Sequence, residues 1–203
     1  MKVIKRERLG VRRKTSRKES QTLINELHVL KKLHHPNIVQ IKEIIDDGKN
    51  DSLYLVMQHL PGQNLQEKID ESQLINEPIS RDYVKKVARQ LVSALYTMHV
   101  ESKLVHHDIK PENIVLNKQE DIVLVDFGIS RHFYGEDDLT RGQSNSEGTI
   151  LYFAPERVKT GVKDKKIYGR QTDIWAAGIT LYYLATGIHP FTTQCVFQYK
   201  ENV

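Results

Sequence analysis

The sequence predicts an α+β chain in two parts, a small β-rich part with one helix over residues 1–60 and a larger, mainly helical part over 61–203. Three observations carry this reading. One helical stretch is followed by two β-type runs, NIVQIKEII at 37–45 and SLYLVM at 52–57. After Pro61 and Gly62 the apolar spacing changes to the 3.6-residue period of an amphipathic helix at 80–99. A third segment, IWAAGITLYYLATGI at 174–188, is apolar on nearly every face and reads as a helix buried inside a domain.

The elements follow in order. Lys2 to Ile4 is a short strand-like start that runs into a basic loop. Residues 20–33 place Leu23, Leu27 and Leu30 at helical spacing, with Ser20 or Thr22 as N-cap, and Pro36 ends the helix. The DDGKND segment between the two β runs suits a hairpin connection. In the second part, Tyr83, Val87, Leu91, Leu95 and Met98 share one helical face, and Ser80 is the expected N-cap. NIVLN at 113–117 and DIVLVDFG at 121–128 read as two short apolar strands joined by a polar turn. From Gly128 to Ala154 the chain is polar and without period, far longer than an ordinary connection, and loops of that length are usually functional or disordered. There is no internal repeat.

Composition narrows the class. With 39% apolar and 28% charged residues, the 203-residue chain has enough apolar material for a core. The 174–188 run is short of the roughly 20 apolar residues that a bilayer requires, so no membrane span is expected. The single cysteine, Cys195, makes neither an internal disulfide nor a zinc site, and the basic start lacks the apolar run of a signal peptide. Both point to the cytosol or nucleus. Residues 1–18 hold nine Lys/Arg and one acid, while the remainder is net acidic, with 21 Lys/Arg against 25 Asp/Glu. The basic charge therefore belongs to one segment, read as a solvated loop, with acidic-partner docking or nuclear import as the alternatives. A nucleic-acid-binding face would spread it more widely.

The chemistry concentrates in HHDIKPEN at 106–113 and DFG at 126–128. Asn113 and Asp126 are oxygen donors of the kind Mg²⁺ takes, the ion completing its octahedron with phosphate oxygens and water. Asp108 is placed to accept the proton of an attacking hydroxyl, and Lys110 to neutralise charge on a phosphoryl group in transfer. Singly, Asp and Asn are common turn formers. Together, in this order and each beside a short apolar strand, they point to phosphoryl transfer.

Here the chain resembles the eukaryotic protein kinase family. HHDIKPEN is similar to that family's catalytic loop, DFG follows it, and GTILYFAPE at 148–156 is similar to the end of its activation segment. The resemblance implies a two-lobed fold, the lobes being residues 1–60 and 61–203, and an ATP- and Mg²⁺-dependent kinase acting on protein serine or threonine. Lys110, together with Gly148 and Thr149, matches the serine/threonine branch. By the same resemblance Asp108, Lys110 and Asn113 are catalytic, Asn113 and Asp126 hold metal, and Glu26 pairs with the ATP-binding lysine. Asp173 in DIWAAG would hold the catalytic loop's backbone, and Thr149 would help hold Asp108 and Lys110. Leu30, Ile41, His106 and Phe127 would stack as a spine linking the lobes.

A narrower resemblance runs to the upstream kinases of the liver-kinase-B and calcium/calmodulin-kinase-kinase groups. It implies Lys2 as the ATP-binding lysine, with Lys5 as the rival, and Met57 as gatekeeper before a hinge at Gln58 to Leu60. Gln58, Leu60 and Val115 would line the nucleotide site. Three departures stand out. No Gly-rich loop precedes the lysine strand, and the helices expected after Phe191 are absent, so both lobes are expected to be incomplete, with an exposed edge that aggregates or needs a partner. The arginine expected after His106 is His107. A phosphate on Thr140, Ser144 or Ser146 would gain little from a neutral imidazole, so regulation is expected to rest more on a protein partner. The alternatives are a catalytically silent binding module or an incomplete gene product.

Overall fold

The computed structural model describes residues 2–5, 29–46, 52–127, 131–132, 139–141, 150–159 and 166–192. Its small lobe carries an antiparallel sheet of β1 (Lys2–Lys5), β2 (Ile41–Ile45) and β3 (Ser52–Met57), in the order β1-β3-β2. Lys2 stands opposite Leu55 and Lys5 opposite Ser52. Residues 29–32 are helical, with Leu30 and Leu33 in the core. The rest of the helix expected over 20–33 lies outside the described residues, Glu26 included.

The β run expected over 37–45 divides in two. Only its second half is β2. The first half bonds to the large lobe: the Val39 N–H donates to the Leu124 carbonyl and the Leu124 N–H to the Asn37 carbonyl, both at 2.9 Å. The Asn37 amide also donates to the Ile122 carbonyl at 2.7 Å. A buried backbone must find partners for its N–H and C=O groups, and here the partners belong to a strand more than 80 residues away.

The large lobe opens with α1 (Leu65–Leu74), which the sequence reading missed. Its signal was present in Asn64 and Glu67. Asn64 Oδ1 accepts from the Glu67 N–H at 2.9 Å and Glu67 Oε2 accepts from the Asn64 N–H at 2.8 Å, a reciprocal capping box. Helix α2 (Arg81–Tyr96) starts where expected, Ser80 Oγ accepting from the Tyr83 N–H at 3.2 Å. That cap contributes about 1 kcal/mol. Burial of Val87, Leu91 and Leu95 contributes about 1.5–3 kcal/mol each, so the apolar face, more than the cap, holds the helix. A π-helical turn, Thr97–Glu101, ends it and buries Met98 and His99.

Three two-stranded ribbons follow, β4 (Leu104–Val105) with β7 (Arg131–His132), β5 (Ile114–Leu116) with β6 (Ile122–Leu124), and β8 (Leu139–Arg141) with β9 (Lys166–Tyr168). The stretch read as periodless after Gly128 thus contains two of these strands and a 3₁₀ turn at Ile150–Tyr152. Thr140 lies in β8 opposite Ile167, whereas Ser144, Ser146, Gly148 and Thr149 lie outside the described residues.

A short helix, α3 (Pro155–Lys159), precedes α4 (Gly169–Thr186). Helix α4 corrects an expectation. It buries Asp173, Ala176, Ala177, Thr180 and Leu184, but Ile174 is 55% and Tyr182 49% exposed, so it is not enclosed on every side by the described residues. Its low polarity reflects one packed face and one apolar face left open.

Segment 62–64 runs directly along β5: the Leu116 N–H donates to the Gln63 carbonyl at 2.9 Å. A Cβ on Gly62 would overlap the Leu116 carbonyl oxygen, backbone that has no room to withdraw. Gly62→Ala is therefore expected to cost about 1–3 kcal/mol. The fall in urea midpoint at unchanged slope measures it, and an unchanged midpoint shows that the two segments separate freely.

Candidate active site

The site is built on the loop between β4 and β5, and its anchor is Asp173 on α4. Asp173 Oδ2 accepts from the His106 N–H at 2.8 Å and Oδ1 from the His107 N–H at 2.8 Å. His99, from the end of α2, meets Oδ2 at 2.8 Å. Burial alone would push the Asp173 carboxyl up, but the His99 hydrogen bond and the charges of His99, His107 and His106 outweigh it and hold the group below its ordinary value. His99 was missed in the sequence reading. Its signal was a polar residue four places after Leu95, on a face otherwise apolar.

His106 is fully buried, and its ring centroid is 4.9 Å from that of Phe127. Leu30, Ile41 and Phe127 belong to one core cluster. The Asp108 N–H donates to His106 Nδ1 at 3.3 Å, which leaves the proton on Nε2 to donate to the Val125 carbonyl at 3.1 Å. The ring so joins the loop to the strand that leads to Asp126.

Desolvation pushes the His106 pKa below 6.5, against the pull of Asp173, Asp108 and Asp126. The unfolded chain takes up a proton at this histidine below about pH 6.5, and the folded chain resists it. Stability present at pH 7.5 is therefore lost as pH falls through that value. His35, also lowered by burial, adds to the same slope. The urea midpoint is expected to fall between pH 7.5 and 5.5 and to fall less in His106→Gln. An equal slope in the variant would assign the loss to other groups.

The next residues carry the donors and acceptors. Asn113 Nδ2 donates to both the Asp108 carbonyl and Asp108 Oδ2 at 2.8 Å, and Lys110 Nζ is 3.1 Å from Oδ2. Asp108 Oδ1 accepts nothing from the described residues. Asn113 Oδ1 likewise has no partner among them. The β5–β6 ribbon pairs Ile114 with Leu124, and the Val125 N–H donates to the Asn113 carbonyl at 2.9 Å, so Asn113 and Asp126 stand at the same end of one ribbon. Asp126 has a left-handed φ of 62° and His107 one of 67°. Non-glycine residues held there cost on the order of 1–3 kcal/mol each, and such strain collects at functional sites.

The metal reading fits this donor set. Among the described residues no group of three or more His, Cys, Asp or Glu forms a closed cage. Two protein oxygens, an amide and a carboxylate, suit Mg²⁺, which is generally held by one or two side chains with phosphates and water.

The residues expected to bind nucleotide divide. Gln58 is exposed and its N–H donates to the Gln40 carbonyl at 3.0 Å, which leaves the Gln58 carbonyl and the Leu60 N–H unpartnered among the described residues. Met57 and Leu60 are half-buried against the core, and Val115 is half-buried in β5. Lys2 lies three places nearer the Met57 end of β3 than Lys5. A residue the sequence reading passed over, Arg157, is buried directly after the APE motif, and its Nη1 donates to the His107 carbonyl at 2.8 Å. A charge beside apolar FAP residues was its only sequence signal.

Comparison with known proteins agrees with this geometry. Residues 1–202 match the family described as Protein kinase domain. The chain is 33% identical over 198 residues to the ovarian-specific serine/threonine-protein kinase Lok of Drosophila melanogaster, covering 96% of this chain and 39% of that protein. It is 33% identical over 184 residues to a calcium/calmodulin-dependent protein kinase kinase of Caenorhabditis elegans, covering 90% of this chain and 32% of the other. With serine/threonine-protein kinase 36 of Pongo abelii it shares 35% identity over 183 residues, 90% of this chain and 13% of the other. The chain thus spans well under half the length of the curated relatives it matches.

Proposed function

The chain belongs to the protein kinase family, and on that premise we propose that it transfers the γ-phosphoryl group of ATP to serine or threonine hydroxyls of proteins. The observation that carries this reading is the convergence on Asp108, whose Oδ2 is held by Asn113 and Lys110 while Oδ1 accepts nothing from the described residues. In the reaction a bond forms from the substrate oxygen to Pγ and the bond from Pγ to the bridging oxygen breaks, releasing ADP. Asp108 Oδ1 takes the hydroxyl proton. Lys110 holds Asp108 Oδ2 at 3.1 Å and offsets charge on the transferring group. Asn113 and Asp126 would hold Mg²⁺, which would supply charge neutralisation on the phosphates.

The two-lobed division at residues 60 and 61 is part of the same proposal, and Gln58, Leu60 and Val115 would hold the base of the nucleotide. The strand register supports Lys2 over Lys5 as the phosphate-binding lysine, paired with Glu26. A binding module without turnover is not favoured, since Asp108, Lys110, Asn113 and Asp126 are all present. His107 supports control by a protein partner. A Cβ on Gly169 would come within 3.2 Å of His107 Cε1, so the imidazole is packed at the start of α4. Its single cysteine supports a cytosolic or nuclear setting.

The test is an assay of the full-length protein with labelled ATP, Mg²⁺ and a mixed protein substrate, followed by phosphoamino-acid analysis. Label on serine or threonine supports the reading. Label on tyrosine alone, or none while ATP binds, overturns it.

A further inference from the structure

Arg157 has no part in the mechanism above, yet it is 6% exposed and its guanidinium carbon lies 3.8 Å from the Phe153 ring centroid. Its Nη1 donates to the His107 carbonyl at 2.8 Å. That carbonyl belongs to the peptide unit whose nitrogen is Asp108's own. The preceding N–H, that of His107, is taken by Asp173 Oδ1 at 2.8 Å. His107 is therefore gripped at both its N–H and its carbonyl while its φ is held at 67°. The two grips come from different elements, Asp173 from α4 and Arg157 from α3. Arg157 also shares a small enclosure with Asp108, lined besides by His107, Tyr152 and Phe153.

We propose that Arg157 is a positioning residue for Asp108: it fixes the His107–Asp108 peptide plane and makes the aim of the Asp108 carboxylate depend on the docking of α3. The proposal rests on the phosphoryl-transfer reading. Without the guanidinium, a buried carbonyl loses a charged donor, and the left-handed His107 can relax by rotating that peptide. Losing a charged donor to a buried carbonyl costs more than losing a neutral one. The end of the activation segment then acts on catalysis through a backbone carbonyl rather than through the side chain at position 107.

Two variants of the full-length protein separate positioning from packing. Arg157→Met keeps the apolar stem over Phe153 and removes the donors, whereas Arg157→Lys keeps a cationic donor. Arg157→Met is expected to lower kcat about tenfold or more, with the KM for ATP within about twofold of wild type, and Arg157→Lys to recover part of the loss. Amide exchange over 106–109 should quicken in Arg157→Met while that over 91–95 stays as in wild type. Wild-type kcat in Arg157→Met, unchanged exchange at 106–109, or faster exchange everywhere in step with a lower Tm each overturns the proposal. Should the wild type transfer no phosphate, the kinase reading fails, and the exchange comparison still decides whether Arg157 holds this peptide.

Discussion

Asp108→Asn is expected to abolish phosphoryl transfer while leaving ATP binding nearly intact. The substitution keeps the size of the side chain and an oxygen to accept from Asn113, whose amide also reaches the Asp108 carbonyl. What it removes is the basic oxygen and the charge that draws Lys110 to 3.1 Å. A positioned general base accounts for roughly 10²–10⁴ in rate, and the Lys110 contact is lost with it. The proposed nucleotide contacts at Lys2, Gln58, Leu60 and Asp126 are untouched, and Asn113 keeps the Asp108 carbonyl as an acceptor. Steady-state turnover measured beside nucleotide titration checks both halves. Near-normal turnover removes Asp108 from the mechanism, and lost nucleotide binding shows that its role is structural.

Asp173→Ala should have the largest effect on stability. Three groups, the His99 ring and the His106 and His107 N–H groups, lose their acceptor at once inside the protein. Removing one partner of a buried charged cluster costs about 3–5 kcal/mol, a large share of the stability of a domain this size. Asp173→Asn keeps one acceptor and should be milder. Because the Asp173 carboxyl is held below its ordinary value, its contribution is present above about pH 4 and is lost as pH falls through its folded pKa. Denaturant unfolding of the wild type and both variants at pH 7 supplies the measurement. A loss under about 1 kcal/mol for Asp173→Ala would mean that water or another acceptor takes over.

Local signals were legible wherever a short stretch of chain contains the whole cause. Ser80 caps α2 because an N-cap needs only its own next turn, and the face from Val87 to Met98 follows from the helical period. The HHDIKPEN and DFG motifs could be read because their residue types and order are peculiar to one family. What could not be read depends on partners distant in the chain. Nothing in NIVQIKEII says that its first three residues bond to β6 while the rest join β3. Nothing in the run around Trp175 says which face of α4 stays open. Asn64 and Glu67 mark the counter-example, a local signal that was present and overlooked.

The sequence by itself pointed to the kinase family and marked Asp108, Lys110, Asn113 and Asp126 as candidates for phosphoryl transfer, since these are matters of local pattern and residue chemistry. Only the tertiary structure decided how those residues are held: His99 and Asp173 meeting across 74 positions, Arg157 reaching the His107 carbonyl across 50, and Asn113 and Asp126 brought to one end of a ribbon. The physical reason is that a buried carbonyl or carboxylate must be satisfied by whatever donor the fold delivers to it, and a residue's neighbours in sequence do not record which donor that will be.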